Sequence, residues 1–123
     1  MTVLFLSSDL IFSSRLAGAA GQLNVPIQVA ASAASLVAKV GEAETPPLVI
    51  LDLNTPGVSC GSLVPALRAL PSPPTAIIAY GPHVHEARLA EARAAGCDEV
   101  MSRGQFNAGM LEVIRRHSEG GGK

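Results

Sequence analysis

"LVILDLNTPG", residues 48–57, sets five aliphatic residues around one carboxylate, Asp52, and then turns through Thr55, Pro56 and Gly57. A run this short, apolar throughout and bounded by turn residues, has the composition of a strand covered on both faces, as in parallel sheets with helices above and below. Four further runs read the same way: "TVLFLS" at 2–7, "PIQVAA" at 26–31, "TAIIAY" at 75–80 and "EVMS" at 99–102, of which only "PIQVAA" hints at alternation. Helical spacing fills the intervals. Ile11, Phe12, Leu16 and Ala19 form one apolar face, Leu36, Val37 and Val40 the next, and Leu63, Ala66, Leu67 and Leu70 the third. Leu89, Ala92 and Ala95 follow, then Met110, Leu111 and Ile114. The spacing predicts an α/β chain in the order (βα)5, a doubly wound sheet of five parallel strands.

Local punctuation agrees. Ser62 is expected to cap the third helix, which would put Pro65 in its first turn, where a missing N–H is harmless. Gly96 closes an alanine-rich segment at a predicted left-handed C-cap. Pro46-Pro47 and the run Pro71, Pro73, Pro74 force extended backbone ahead of the third and fourth strands. A single domain is expected over 1–117, with a flexible glycine-rich tail at 118–123.

Composition narrows the function classes. The chain has 123 residues, 48% of them hydrophobic, enough for one core. Its net charge is −1 and its basic residues are scattered, so it carries no electrostatic footprint for nucleic acid or an anionic membrane. The apolar start, "VLFLSSDLIF", has no basic flank and contains Asp9, and no stretch approaches the roughly 18 apolar residues of a membrane span. A cytoplasmic protein is expected. Cys60 and Cys97 are too few for a disulfide framework and are not spaced as a metal pair, so they read as free thiols near the core.

In a doubly wound sheet the C-terminal strand ends share one edge, where ligands usually bind. Asp52 falls on that edge. Its expected neighbours come from the loops after the first strand (Ser7, Ser8, Asp9), the fourth (Gly81, Pro82, His83) and the fifth (Ser102, Arg103, Gly104).

Two segments, "LVILDLNTPG" and "EARAAGCDEVMSRGQF", resemble the receiver domain of two-component response regulators, and the resemblance covers about residues 2–117. It implies a flavodoxin-like three-layer sandwich with strand order 2-1-3-4-5. It also implies a phosphoacceptor at Asp52 and a Mg2+ site made by an acidic pair after the first strand, the phosphoacceptor and a backbone carbonyl two residues on. Only Asp52 and the carbonyl of Asn54 match that metal set. The acidic pair falls on Ser7 and Ser8, and the family's Lys falls on Arg103 with Gly104 in place of the Pro after it. The Ser or Thr of the fourth strand falls on Gly81, and the aromatic switch residue falls on Val100. Sliding the first loop by one residue would make Asp9 the second acid, although Phe12, Leu16 and Ala19 face inward only when Ser7 and Ser8 occupy the pair.

These departures weaken the implied chemistry. Neutral hydroxyls give no anionic charge to offset dehydration of Mg2+. Without the ion, an anionic donor meets Asp52 unshielded, and two like unit charges at ~4 Å repel by about 4 kcal/mol at an effective dielectric near 20. Arg103 keeps a positive charge in a planar fork unlike a Lys ammonium, and it is placed to pair with Asp52. Gly81 has no hydroxyl and Val100 no ring. The expectation is a pseudo-receiver that acts through protein–protein contacts, no enzyme, with Mg2+ binding weak or absent. The second reading is a working phosphoacceptor served by a histidine kinase, with Asp9 completing the metal site.

Other polar residues have plainer readings. His83 and His85 are two apart in a loop, a spacing that places them on no common helix face, and are read as solvated. His117 suits a helix C-terminus. The Ser-rich loop after the first strand precedes a helix, as in flavin phosphate sites, but it contains no Gly and Tyr80 is the one tyrosine available to flank a flavin ring. Mixed charges on the fourth and fifth helices (Glu86, Arg88, Glu91, Arg93, Glu112, Arg115, Arg116) and at Asp98 and Glu99 lie on the surface that the resemblance makes a partner or homodimer face of helix 4, strand 5 and helix 5. A histidine kinase or a fused output domain is the implied partner.

Overall fold

The computed structural model describes the backbone of residues 1–121 and the side chains of residues 1–118. Strands and helices alternate: β1 (Val3–Leu6), α1 (Leu10–Gln22), β2 (Ile27–Ala30), α2 (Ala33–Glu42), β3 (Leu48–Asp52), α3 (Cys60–Arg68), β4 (Ala76–Gly81), α4 (Glu86–Ala95), β5 (Glu99–Ser102) and α5 (Arg103–Gly121). The strands form one parallel sheet in the order β2-β1-β3-β4-β5. The tail expected at 118–123 falls largely on residues whose side chains, or in the last two cases backbone, lie outside the described set; α5 itself runs to Gly121.

Successive strand residues point to opposite faces, and both faces are apolar. Val3, Phe5, Leu48, Ile50, Ala76, Ile78 and Tyr80 pack against α1 and α5. Leu4, Leu6, Val49, Leu51, Ile77 and Ala79 pack against α2, α3 and α4. This explains the unbroken apolar runs of β1, β3 and β4, buried at every position. β2 and β5 depart from the expectation of full cover: as edge strands they are half-exposed. Glu99 on β5 turns this to use, accepting from Arg116 at 2.6 Å and pairing with His117 at 2.7 Å. His117, four residues from the end of α5, thus bonds to Glu99 of β5.

Helix faces shift slightly from those predicted. On α1, Phe12, Leu16, Ala19 and Ala20 face inward while Ile11 is 67% exposed, because the first turn overhangs the sheet's rim. Val64 replaces Ala66 on the buried face of α3, and Phe106, Met110, Val113 and Ile114 form that of α5, leaving Leu111 outside. Ser62 does not cap α3. The helix begins two residues before it, with Ser59 at the N-cap and Pro65 in the second turn, where one internal hydrogen bond is lost. The Glu91 carboxylate of α4 accepts from Gly61 N and Ser59 Oγ, both at 3.3 Å, and so supplies the cap from another helix. Gly96 ends α4 in the left-handed conformation, φ 100°, as expected.

Below the sheet, Asp98 ties three elements together. Its Oδ2 accepts from Ile77 N at 2.7 Å and from Arg68 Nη2 at 2.8 Å. Partial burial acts to raise the Asp98 carboxyl, yet the Ile77 N–H and the Arg68 guanidinium prevail and hold it below the usual range. A depressed folded-state pKa contributes stability above the unfolded pKa, near 3.9, that is lost as pH falls through the folded value. The wild-type midpoint of thermal unfolding is therefore expected to exceed that of Asp98→Asn at neutral pH, and the gap to close on acidification below about pH 4. A gap independent of pH would assign the loss to packing.

Candidate functional site

The rim formed by the C-terminal strand ends carries a chain of polar contacts centred on Asp52. Asp52 ends β3 and is 6% exposed. Its position follows from the period of the strand: Leu48, Ile50 and Asp52 share the α1/α5 face, so the carboxylate caps a column of core residues. Ser7, just past β1, donates from Oγ to Asp52 Oδ2 at 2.7 Å. The Asn54 amide donates to Oδ1 at 3.0 Å, so each carboxylate oxygen accepts a bond. Ser7 Oγ in turn accepts from the Asp9 amide at 3.0 Å.

Asp9 is the N-cap of α1. Its Oδ1 accepts from the amides of Ile11 and Phe12, each at 3.0 Å, and its Oδ2 accepts from Arg103 Nη2 at 3.0 Å. Arg103 therefore pairs with Asp9, not with Asp52 as its place in the sequence suggested. Its guanidinium also lies 4.6 Å from the Phe12 ring centroid, in cation–π geometry. The physical reason is reach: α5 starts beside α1, and the cap carboxylate and aromatic face of α1 hold both sides of the planar group.

The remaining expected residues are less tightly assembled. Ser8 is exposed beside the buried Ser7. Gly81 ends β4 on the opposite face, where a Cβ would meet Leu53 Cβ at 3.2 Å, a tight contact that a side chain at this position would have to relieve by shifting Leu53 a few tenths of an ångström. Val100 is half-buried and packs with the α2/α3/α4 side of the core. His83 and His85 are exposed, as expected. Among the described residues no group of three or more His, Cys, Asp or Glu side chains is arranged to hold a metal. Of the metal donors the resemblance implied, Asp52 and Asn54 are present on this rim, while Asp9 is held in its cap and ion pair.

Two contributors escaped the sequence reading. Arg88, taken as a surface residue of α4, donates from Nη1 to the Leu53 carbonyl at 2.9 Å and fastens α4 to the loop after Asp52. Tyr80 pairs with Asp52 in the β3–β4 register and points its buried ring into the α1/α5 side. The signal for Tyr80 was its period-two relation to Ala76 and Ile78.

No protein-family model matches the chain, and no curated protein matches it in sequence. Solved structures do. A response-regulator signal receiver domain from Bermanella marisrubri aligns at 18% identity with a TM-score of 0.81, covering 95% of this chain and 97% of that one. The chemotaxis response regulator CheY4 of Vibrio cholerae aligns at 18% identity, TM-score 0.75, over 94% and 97%. The chain has the receiver-domain fold. The receiver domain of the sensor histidine kinase PA1611 from Pseudomonas aeruginosa, at 14% identity and TM-score 0.76 over 94% of each chain, holds a magnesium ion in its active-site cleft. The receiver fold sets the strand order 2-1-3-4-5 seen here and brings Asp52 to the same rim as Arg103. No helix among the described residues is long and apolar enough to cross a membrane.

Proposed function

We propose that the chain is a divergent receiver domain, a pseudo-receiver of two-component signalling, that works through protein–protein contacts with metal-dependent phosphoryl transfer to Asp52 impaired. The observation that carries this reading is the Asp9–Arg103 ion pair at 3.0 Å. Asp9 is the one carboxylate near enough in sequence to replace the missing acidic pair, and it is already bonded to two helix amides and a guanidinium. Asp52 is left with a neutral hydroxyl and an amide for company, a donor set poorly suited to dehydrating Mg2+. Gly81 supports the same reading, since it carries no hydroxyl of the kind that follows a phosphoryl oxygen in working receivers, and a side chain there would crowd Leu53.

The protein acts in the cytoplasm, with a histidine kinase or a fused output domain as partner. Its contact surface is α4–β5–α5, where Glu99 and Arg116 display paired charge. The working phosphoacceptor remains the second reading, favoured by the placement of Asp52 at a strand end with Arg103 on the same rim.

Titration with Mg2+ and beryllofluoride, followed through the amide resonances of residues 52–55 and 81, separates the two. The pseudo-receiver gives no saturable shift at millimolar Mg2+. Large saturable shifts that vanish in Asp52→Asn would establish the phosphoacceptor instead.

A further inference from the structure

Asp52 and Tyr80 are direct partners across β3 and β4, and Ser7 follows Leu6, the partner of Leu51. Ser7, Asp52 and Tyr80 therefore form one row over three adjacent strands, with side chains on the same face. Tyr80 is 1% exposed, and its hydroxyl is buried without a hydrogen-bond partner. An unpaired hydroxyl kept beneath a carboxylate needs an explanation, because burying it unpaired is costly and phenylalanine would fill the same space. Burial, and after it the charge of Asp52, its neighbour in the adjacent strand, push the phenol well above its ordinary range.

The ring continues the connection inward. It stacks on Phe106 at 4.3 Å with 6° between the planes, and lies 5.6 Å from Phe12 and 6.2 Å from Phe5. Phe106 belongs to the first turn of α5, and Phe12 carries the guanidinium of Arg103. A displacement of the Tyr80 ring thus reaches α5 through direct aromatic contact.

We propose that Tyr80 reads the charge on Asp52, its unpaired hydroxyl lying in the field of the neighbouring carboxylate and its ring transmitting the resulting shift to Phe106 and α5. One side chain then does the work of the hydroxyl missing at Gly81 and the ring missing at Val100. The inference rests on Asp52 being the responsive group of the site and does not require magnesium.

The chain contains one tyrosine and no tryptophan, so intrinsic emission reports Tyr80 alone. An ionised carboxylate close to a phenol quenches its emission by taking up the excited-state proton. With EDTA present throughout, Asp52→Asn raises the tyrosine emission, whereas the remote Asp98→Asn leaves it unchanged. Asp52→Asn also shifts the amide resonances of residues 103–110, and these shifts collapse when the same change is made in Tyr80→Phe, which keeps the stacked ring and loses only the hydroxyl. Both variants preserve side-chain shape, and a single cooperative thermal transition verifies their folding. Emission unaltered by Asp52→Asn, or shifts in α5 that persist at full size in Tyr80→Phe, would overturn the proposal. Because metal is excluded, either failure is separate from the outcome of the magnesium titration.

Discussion

Phe106→Ala lowers the free energy of unfolding by about 3–5 kcal/mol, the range for deleting a fully buried aromatic ring. Phe106 is 0% exposed and stacks on Tyr80 and Phe12, and aromatic pairs add roughly 0.5–1.5 kcal/mol beyond their buried area. Single domains hold on the order of 5–15 kcal/mol in total, so the variant is marginal at room temperature. Urea unfolding reads the loss as a lower midpoint at unchanged slope. Leu111, five residues further along α5, is 40% exposed, and Leu111→Ala changes stability by no more than about 0.5 kcal/mol. The contrast tests the packing of α5 directly: a larger loss at Leu111 than at Phe106 would mean the helix is rotated from the face described.

That face marks where the sequence stops being informative about the fold. β1, β3 and β4 were legible almost to the residue, because unbroken aliphatic runs bounded by Pro and Gly have few other solutions. The exposure of β2 and β5 was not, since it depends on which strands end at an edge, and that is decided by the order of the whole sheet. The start of α3 escaped for a related reason. Ser62 and Ser59 are both acceptable capping residues, and the choice falls to Ser59 because Glu91, 30 residues from Gly61, closes the helix end from α4. Ile11 matched the helical period of α1 but occupies a turn that projects past the sheet, so no partner covers it.

The site shows the same division. Asp52 and Ser7 follow from strand period alone: each is the residue that ends or follows a buried strand on one face. Pairing of Arg103 with Asp9 spans 94 residues and turns on the relative placement of α1 and α5, which no local pattern encodes. The charge on Arg103 was legible and its partner was not. Gly81 read as a position without a hydroxyl, and the structure adds that a Cβ there would crowd Leu53 at 3.2 Å.

Ser7→Asp should therefore destabilise the metal-free protein by several kcal/mol and, in return, make its stability depend on Mg2+. The substitution removes a hydrogen bond to a charged acceptor, typically about 1.5–3 kcal/mol. It also sets a second carboxylate beside Asp52, a repulsion of about 4 kcal/mol for unit charges at ~4 Å and an effective dielectric near 20. Both positions are buried, so added salt screens little of this. A divalent ion relieves the repulsion by binding only the folded state, which stabilises by roughly 2.7 kcal/mol at a concentration 100 times its dissociation constant. Thermal midpoints measured with EDTA and over a magnesium series should rise steeply in Ser7→Asp and stay flat in the wild type. Gly81 and Leu53 are untouched, so the change is confined to the charge beside Asp52. If the wild-type midpoint climbs with magnesium as steeply as that of the variant, the native rim already holds the metal and Asp9 is less firmly engaged by Arg103 than its geometry implies.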